Sequence, residues 1–349
     1  MAASGKSTVA WVIVLLIVAS LATWVWVDRF REANKSEAPV DIVFITNAAD
    51  AFWEIAAAGA RDAGERLHAN VEVLYPREGI ADQTRFLRQI LERDVDGVAI
   101  SPIDPSRQSA LLNQVAHHTL LLTHDSDAPY SDRLCYIGTD NYRAGRACAE
   151  LVREALPDGG TVMIFIGTVD QDNARLRRQG FIDALLGRPE NPDGFDPIDQ
   201  PLTGEGYTIL GTRVDNFDMD VARANAVQAI ADHPDLDCMV GMFGYSSPLC
   251  LSALKEAGKA GQIKLIAFDE HEATLQGIID GEIYATLVQD PYQFGYQSVR
   301  ILARMARGDE TVLPLSGSLY FAVVPIRQDN VETFKAKLAK QLASSDATP

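Results

Sequence analysis

The chain has 349 residues, with 48 Asp and Glu against 31 Lys and Arg and a formal net charge of −17 at pH 7. So acidic a chain excludes a nucleic-acid surface, which needs a basic face to neutralise phosphates. The length beyond residue 36 is enough for two lobes with separate cores, because single cores stop growing at about 250–300 residues.

The first element is a run of twenty uncharged residues, Thr8 to Val27. As a helix it spans about 30 Å, the hydrocarbon thickness of a bilayer. Trp11 near one edge and Trp24 and Trp26 at the other suit a membrane interface. The run reads as an uncleaved anchor. The competing reading is a cleaved export signal, with Lys6 as its positive region and Ser20 and Ala22 as small cleavage-site residues. Both readings export the body to a periplasmic or extracytoplasmic space, and the first tethers it to the inner membrane by residues 8–27. A short polar linker, Arg29 to Pro39, follows.

From Val40 onward, short runs rich in Val and Ile alternate with segments of helical period, the pattern of parallel sheets covered on both faces. A first series of strands is predicted at Asp41–Thr46, Val71–Leu74, Gly97–Ile100, Leu120–Thr123 and Cys135–Ile137. Helices near Phe52–Leu67, Asp82–Glu92 and Pro105–Ala116 separate them. A second series has strands at Thr161–Ile166, Tyr207–Arg213, Cys238–Met242, Lys264–Phe268 and Ile283–Val288. Its helices fall near Asn173–Leu186, Asp220–Ala231, Ser247–Glu256 and Glu272–Asp280. A further helix at Tyr292–Arg307, a strand at Leu319–Val324 and a closing helix at Val331–Leu342 complete the chain. The expected fold class is α/β, two doubly wound parallel-sheet lobes with several chain crossings.

Cys135 and Cys238 lie in strand-like runs, and Cys148 and Cys250 in the helices that follow them. Buried free thiols are the plain reading; spacing cannot decide whether a bridge forms within either pair. No CxxC or Cys/His cluster points to a metal, and no cofactor motif is present. His124 beside Asp125, and His271 between Glu270 and Glu272, lack the i, i+4 spacing of a helical metal site.

In open parallel sheets ligands bind beyond the carboxyl ends of the strands. The residues there are Asn47, Asp50, Phe52 and Trp53, then Asp125, then Arg175, Tyr245, Ser246, Asp269 and Gln289. They mix carboxylates, amides, one guanidinium and aromatic rings, without a nucleophile and base pair. That mixture suits a neutral polyhydroxylated ligand, whose hydroxyls each need a donor and an acceptor and whose C–H face lies on an aromatic ring. Each residue also has a structural reading: the Asp residues as helix caps or turn formers, the arginines as a solvated helix face, and Phe52 and Trp53 as core.

Ordered along the chain are Phe52-Trp53, Asp125-Ser126-Asp127-Ala128-Pro129, Tyr136-Ile137-Gly138-Thr139-Asp140-Asn141, Ala174-Arg175 with Gly180-Phe181, Ala267-Phe268-Asp269, and Ala285 to Pro291. In this order they resemble the periplasmic sugar-binding proteins of ABC transporters, in the ribose-binding-like group related to lac-repressor-type effector domains. The resemblance runs from about Val40 to Asn330 and implies a type I periplasmic binding fold. It further implies that Phe52 and Trp53 stack on the ligand with Asp50 as a polar partner. Asp125 would be the first lobe's acceptor, Arg175 and Asp269 the second lobe's donor and acceptor, and Gln289 a ligand-facing amide. One departure is Tyr245-Ser246-Ser247-Pro248, where the group places an Asn, so a hydroxyl replaces an amide and the identity of the sugar stays open.

The expected division is 1–36 as anchor or signal with linker, 37–138 plus 291–318 as the N-terminal lobe, and 139–290 plus 319–349 as the C-terminal lobe. Hinges are expected near Tyr136–Asn141, Gln289–Pro291 and Ser316–Leu319. The resemblance implies a monomeric, non-enzymatic binding protein that closes on a monosaccharide-like ligand and presents it to an ABC transporter permease or a membrane sensor. An exported sugar-acting enzyme and a membrane-anchored sugar sensor domain are the alternatives.

Overall fold

The computed structural model describes residues 39–345 together with Thr23. The apolar run from Thr8 to Val27, apart from Thr23, lies outside the described residues. Among those described, no helix is long and apolar enough to cross a membrane.

Two sheets form the body. The first holds β1 (Val40–Ile45), β2 (Ala69–Leu74), β3 (Gly97–Ile100), β4 (Leu120–His124), β5 (Tyr136–Thr139) and β12 (Ser318–Phe321), in the order β12-β5-β4-β3-β1-β2. All its pairings are parallel. The second holds β6 (Gly160–Ile166), β7 (Leu202–Gly204), β8 (Tyr207–Val214), β9 (Cys238–Gly241), β10 (Lys264–Phe268), β11 (Ala285–Val288) and β13 (Val324–Ile326), in the order β13-β11-β10-β9-β6-β8-β7. Only its two edge pairings are antiparallel. The central strands are buried along their whole length, which is why they read as continuous apolar runs.

Helices cover both faces of each sheet. In the first lobe, α1 (Ala51–Leu67) and α9 (Pro291–Ala306) lie on one face; α2 (Ile80–Ile90) and α3 (Pro105–His118) lie on the other. In the second, α4 (Asn141–Ala155) and α5 (Asp172–Leu185) oppose α6 (Met219–Asp232), α7 (Ser246–Glu256) and α8 (Glu272–Ile279). Helix α10 (Val331–Ser345) closes the second core with Val331 and touches α1 across the lobes. Two helix pairs cross at contact distance because glycines on each helix face the backbone of the other. A Cβ on Gly59 would stand 1.9 Å from the Tyr292 carbonyl, and one on Gly145 1.9 Å from that of Arg177.

The chain changes sheets three times. Asp140 and Asp290, at the first two crossings, each cap the helix that follows: Asp140 accepts from Arg143 N at 3.1 Å and Asp290 from Gln293 N at 3.2 Å. The third crossing differs from expectation. The single strand expected at Leu319–Val324 is two strands, one for each sheet, with Ala322 and Val323 between them. Ser318 to Phe321 pair in register with Tyr136 to Thr139, so the hinge expected at Ser316–Leu319 and the lobe change expected at residue 319 both move to Ala322–Val323. Leu319 and Phe321 pack on the first core, which fixes this side of the crossing. All four cysteines are free and buried.

Candidate functional site

The carboxyl ends of both sheets face each other across a cavity of about 270 Å³. The first lobe contributes Asn47 beyond β1, the first turn of α1, and Asp125 beyond β4. Asp50 caps α1, accepting from Phe52 N at 3.0 Å and Trp53 N at 3.4 Å, and this cap sets the two rings at the cleft. Phe52 and Trp53 meet edge to face at 5.0 Å. Trp53 is only 4% exposed. It abuts His124 at 5.8 Å, and His124 in turn stacks on Phe44 at 4.3 Å. Trp53 is therefore core and cavity wall at once. Burial pushes the His124 imidazole down to about 3, so it stays neutral, which suits its packing role.

The second lobe answers with the expected Tyr245 and with two aromatic residues that sequence reasoning missed, Phe217 and Phe243. Phe217 and Phe243 meet edge to face at 5.6 Å, and Tyr245 leans on Phe243 at 6.0 Å. Asn216 and Phe217 both adopt left-handed backbone, φ 53° and 64°. Asp215 stabilises that turn by accepting from Phe217 N at 2.9 Å and from the Tyr245 hydroxyl at 2.6 Å. Phe217 lies just past β8, so the strand-end rule applied there would have found it.

Of the predicted residues, Asn47, Asp50, Phe52, Trp53, Asp125, Tyr245, Asp269 and Gln289 line the cavity; Arg175 and Ser246 do not. Arg175 points away, donating to the Pro192 carbonyl at 2.8 Å. The reason is helical phase. Asn173 and Arg177, four residues apart, share a face, while Arg175 lies about 200° round the helix from each. Arg177 is the guanidinium that reaches the cavity. It is 2% exposed, donates to Met242 O at 2.6 Å and Asn141 Oδ1 at 2.8 Å, and lies 3.8 Å over the Phe268 ring. Ser246 starts α7 and is buried beneath Gly241, and the Tyr245 hydroxyl is committed to Asp215. The hydroxyl expected in place of an amide is therefore not offered to the cavity.

Asp125 is buried and accepts from Ser101 Oγ at 3.3 Å; Asp269 is buried and accepts from Gln289 Nε2 at 2.9 Å. Burial pushes the Asp125 carboxyl up to about 7 against the pull of Arg177, with Asp269 adding to the rise. Burial likewise raises Asp269, opposed by Arg177 and the Gln289 hydrogen bond. The lobes touch directly where Gln171 Nε2, just ahead of α5, donates to Ile103 O beyond β3 at 2.8 Å.

A cleft between two α/β lobes, lined from both sheets by carboxylates, a buried arginine and aromatic rings, defines a solute-binding protein that closes around its cargo. Residues 42–310 match the family described as the periplasmic binding protein domain, and the chain belongs to that family. It is similar to the D-ribose/D-allose-binding protein of Pseudomonas aeruginosa, 24% identical over 60% of this chain and 65% of that one. The ribose import binding protein RbsB of Salmonella typhimurium is 22% identical over 84% of this chain and 93% of that one. Among solved structures, an ABC transporter solute-binding protein from Burkholderia graminis in complex with D-arabinose superposes with a TM-score of 0.74. It is 25% identical and covers 83% of this chain and 96% of that one.

Proposed function

We propose that this protein is a non-enzymatic, extracytoplasmic receptor for a monosaccharide-like ligand, closing its lobes on one sugar and presenting the closed form to an ABC transporter or a membrane sensor. The observation that carries the reading is the placement of Asp125 and Asp269 on opposite lobes, with Arg177 and aromatic rings of both lobes around one cavity. Carboxylates accept hydroxyl hydrogens, the guanidinium donates to hydroxyl oxygens, and the rings cover the C–H face. Groups from both lobes are satisfied together only when the cleft is closed, so the ligand favours that state. The sugar-binding names of the relatives agree with this chemistry. The apolar run from Thr8 to Val27 would, if retained, hold the monomeric receptor beside its membrane partner.

Titration calorimetry of the protein against pentoses, hexoses and deoxy sugars tests the reading. Saturable binding of a sugar that is recovered unchanged supports it; conversion of the sugar to product overturns it in favour of an enzyme.

A further inference from the structure

Four carboxyl groups line the cavity: Asp50 and Asp125 from the first lobe, Asp269 and Glu270 from the second. Against them stands one permanent cation, Arg177. His271 is the only other basic group in the wall; its Nδ1 accepts from Ala273 N at 3.1 Å at the start of α8. Among the described residues none of the four carboxylates takes part in an ion pair. The hydrogen bonds of Arg177 go to a carbonyl and an amide oxygen, so it is held by neutral acceptors while two carboxylates share its field.

A second observation is independent of that tally. Glu270 is 8% exposed and its Oε2 has no hydrogen-bond partner. The charged groups around it are Asp269, Asp290 and Asp50, all acidic. Lys337 of α10 does not line the sugar cleft; it lines an adjoining cavity together with Asp290 and the far side of Glu270, and its charge opposes the burial that raises the Asp290 carboxyl. A buried carboxyl with an empty acceptor, surrounded by acids, is completed by a donor that also brings positive charge. A ring hydroxyl supplies the hydrogen without the charge, whereas a primary ammonium supplies both, with three donors for several carboxylates.

We propose that the cleft selects an amino sugar, a monosaccharide in which one hydroxyl is replaced by a protonated primary amine seated among Asp50, Asp269 and Glu270. This rests on the sugar-receptor reading above and narrows it. Asp125 and Arg177 keep the roles given to them there, binding ring hydroxyls. Burial raises the carboxyls of Asp50, Asp269 and Glu270, and an ammonium seated among them would draw them back down, favouring proton release.

The test is titration calorimetry of the full chain with D-glucosamine, D-galactosamine and D-mannosamine, each beside its neutral parent hexose and its N-acetyl derivative. Measurements run at pH 7 in two buffers of different ionisation enthalpy. The expected result is one amino sugar bound at least tenfold more tightly than both its parent and its N-acetyl form, with net proton release. In Glu270→Gln that preference shrinks severalfold while the parent hexose binds as before or better. A neutral sugar bound as tightly as its amino counterpart overturns the proposal and leaves the receptor reading standing. If no member of either set binds to chain shown by circular dichroism to be folded, the receptor reading for hexoses falls and the proposal with it.

Discussion

Asp125 and Asp269 occupy the same position in the two lobes. Each follows the end of a buried strand in left-handed backbone, with φ 56° and 65°. Asp125 N donates to Ile137 O at 2.9 Å and Asp269 N to Leu287 O at 2.8 Å. Each carbonyl accepts a hydroxyl from the residue before that partner, Tyr136 for Asp125 and Thr286 for Asp269, both at 2.7 Å. Asp and Asn tolerate this backbone better than most side chains, and strain held in place by neighbouring hydrogen bonds is characteristic of binding sites.

Asp125→Asn and Asp269→Asn keep that backbone and remove the negative acceptor. Hydrogen bonds to charged groups contribute about 1.5–3 kcal/mol, so each change is expected to weaken sugar binding roughly 10- to 150-fold by calorimetry, with the fold intact. Alanine at either site is expected to cost stability as well, by about 1–2 kcal/mol, because the left-handed backbone then lacks a compatible side chain.

The stability of the empty protein depends on pH through Asp125. Its carboxyl rises from an ordinary 3.8 to about 7 on folding, chiefly by burial. Between those values the folded form holds a proton that the unfolded form has lost. Stability contributed below pH 4 is therefore lost as pH rises towards 7, with a slope of up to about 1.4 kcal/mol per pH unit. Urea unfolding between pH 4.5 and 7.5 should show this decline, and Asp125→Asn should make it shallower. A steeper decline in the variant would contradict the assignment.

Gln171 makes a direct hydrogen bond between the lobes, and its loss should act on the closed state. Gln171→Ala is expected to weaken binding by about 0.5–1.5 kcal/mol, mostly through faster ligand release in stopped-flow measurements. The association rate should change little.

The glycine crossing of α4 and α5 positions Arg177. Gly145→Ala drives a methyl into the Arg177 carbonyl, so it is expected to destabilise by about 1–3 kcal/mol despite alanine's better helix propensity. Affinity should fall with stability, because the turn that moves carries the guanidinium. Circular dichroism melts and calorimetry on the same sample measure both.

Emission reports on Trp53, the one tryptophan in the cavity wall. The ligand-induced change in fluorescence should vanish in Trp53→Phe. Phe52→Ala should lower affinity with the emission change retained.

What could be read in advance followed from strand periodicity. Runs such as Gly97–Ile100 and Lys264–Phe268 are too apolar and too short for anything but buried strands, and the residues after them, Asp125, Asp269 and Gln289 among them, fall at the cleft by geometry. Choosing between Arg175 and Arg177 required the phase of α5 to within one residue, and boundaries are where sequence patterns are weakest. Phe217 was within reach of the strand-end rule past β8, but the turn that aims it, two consecutive non-glycine residues in left-handed backbone held by Asp215 and Tyr245, was not. Strands of four and three residues at β12 and β13 are specified by the sheets they complete, so one apolar stretch concealed a change of lobe.

The threefold exchange of chain between lobes also sets an order of assembly. Phe294, Val299, Ile301 and Leu302 of α9 fill the first core against Phe44, Ala99, Leu122 and Ile137. The amino-terminal lobe therefore emerges with one face of its sheet covered by α1 alone and must wait for α9 while almost the entire second lobe is made. During that interval the nascent chain exposes a wide apolar surface beside a second sheet of similar build, an opening for mispairing or capture by a chaperone. The carboxyl-terminal lobe, lacking little more than β13 and α10, can consolidate first. The half that starts synthesis cannot complete its core until the other half is nearly made.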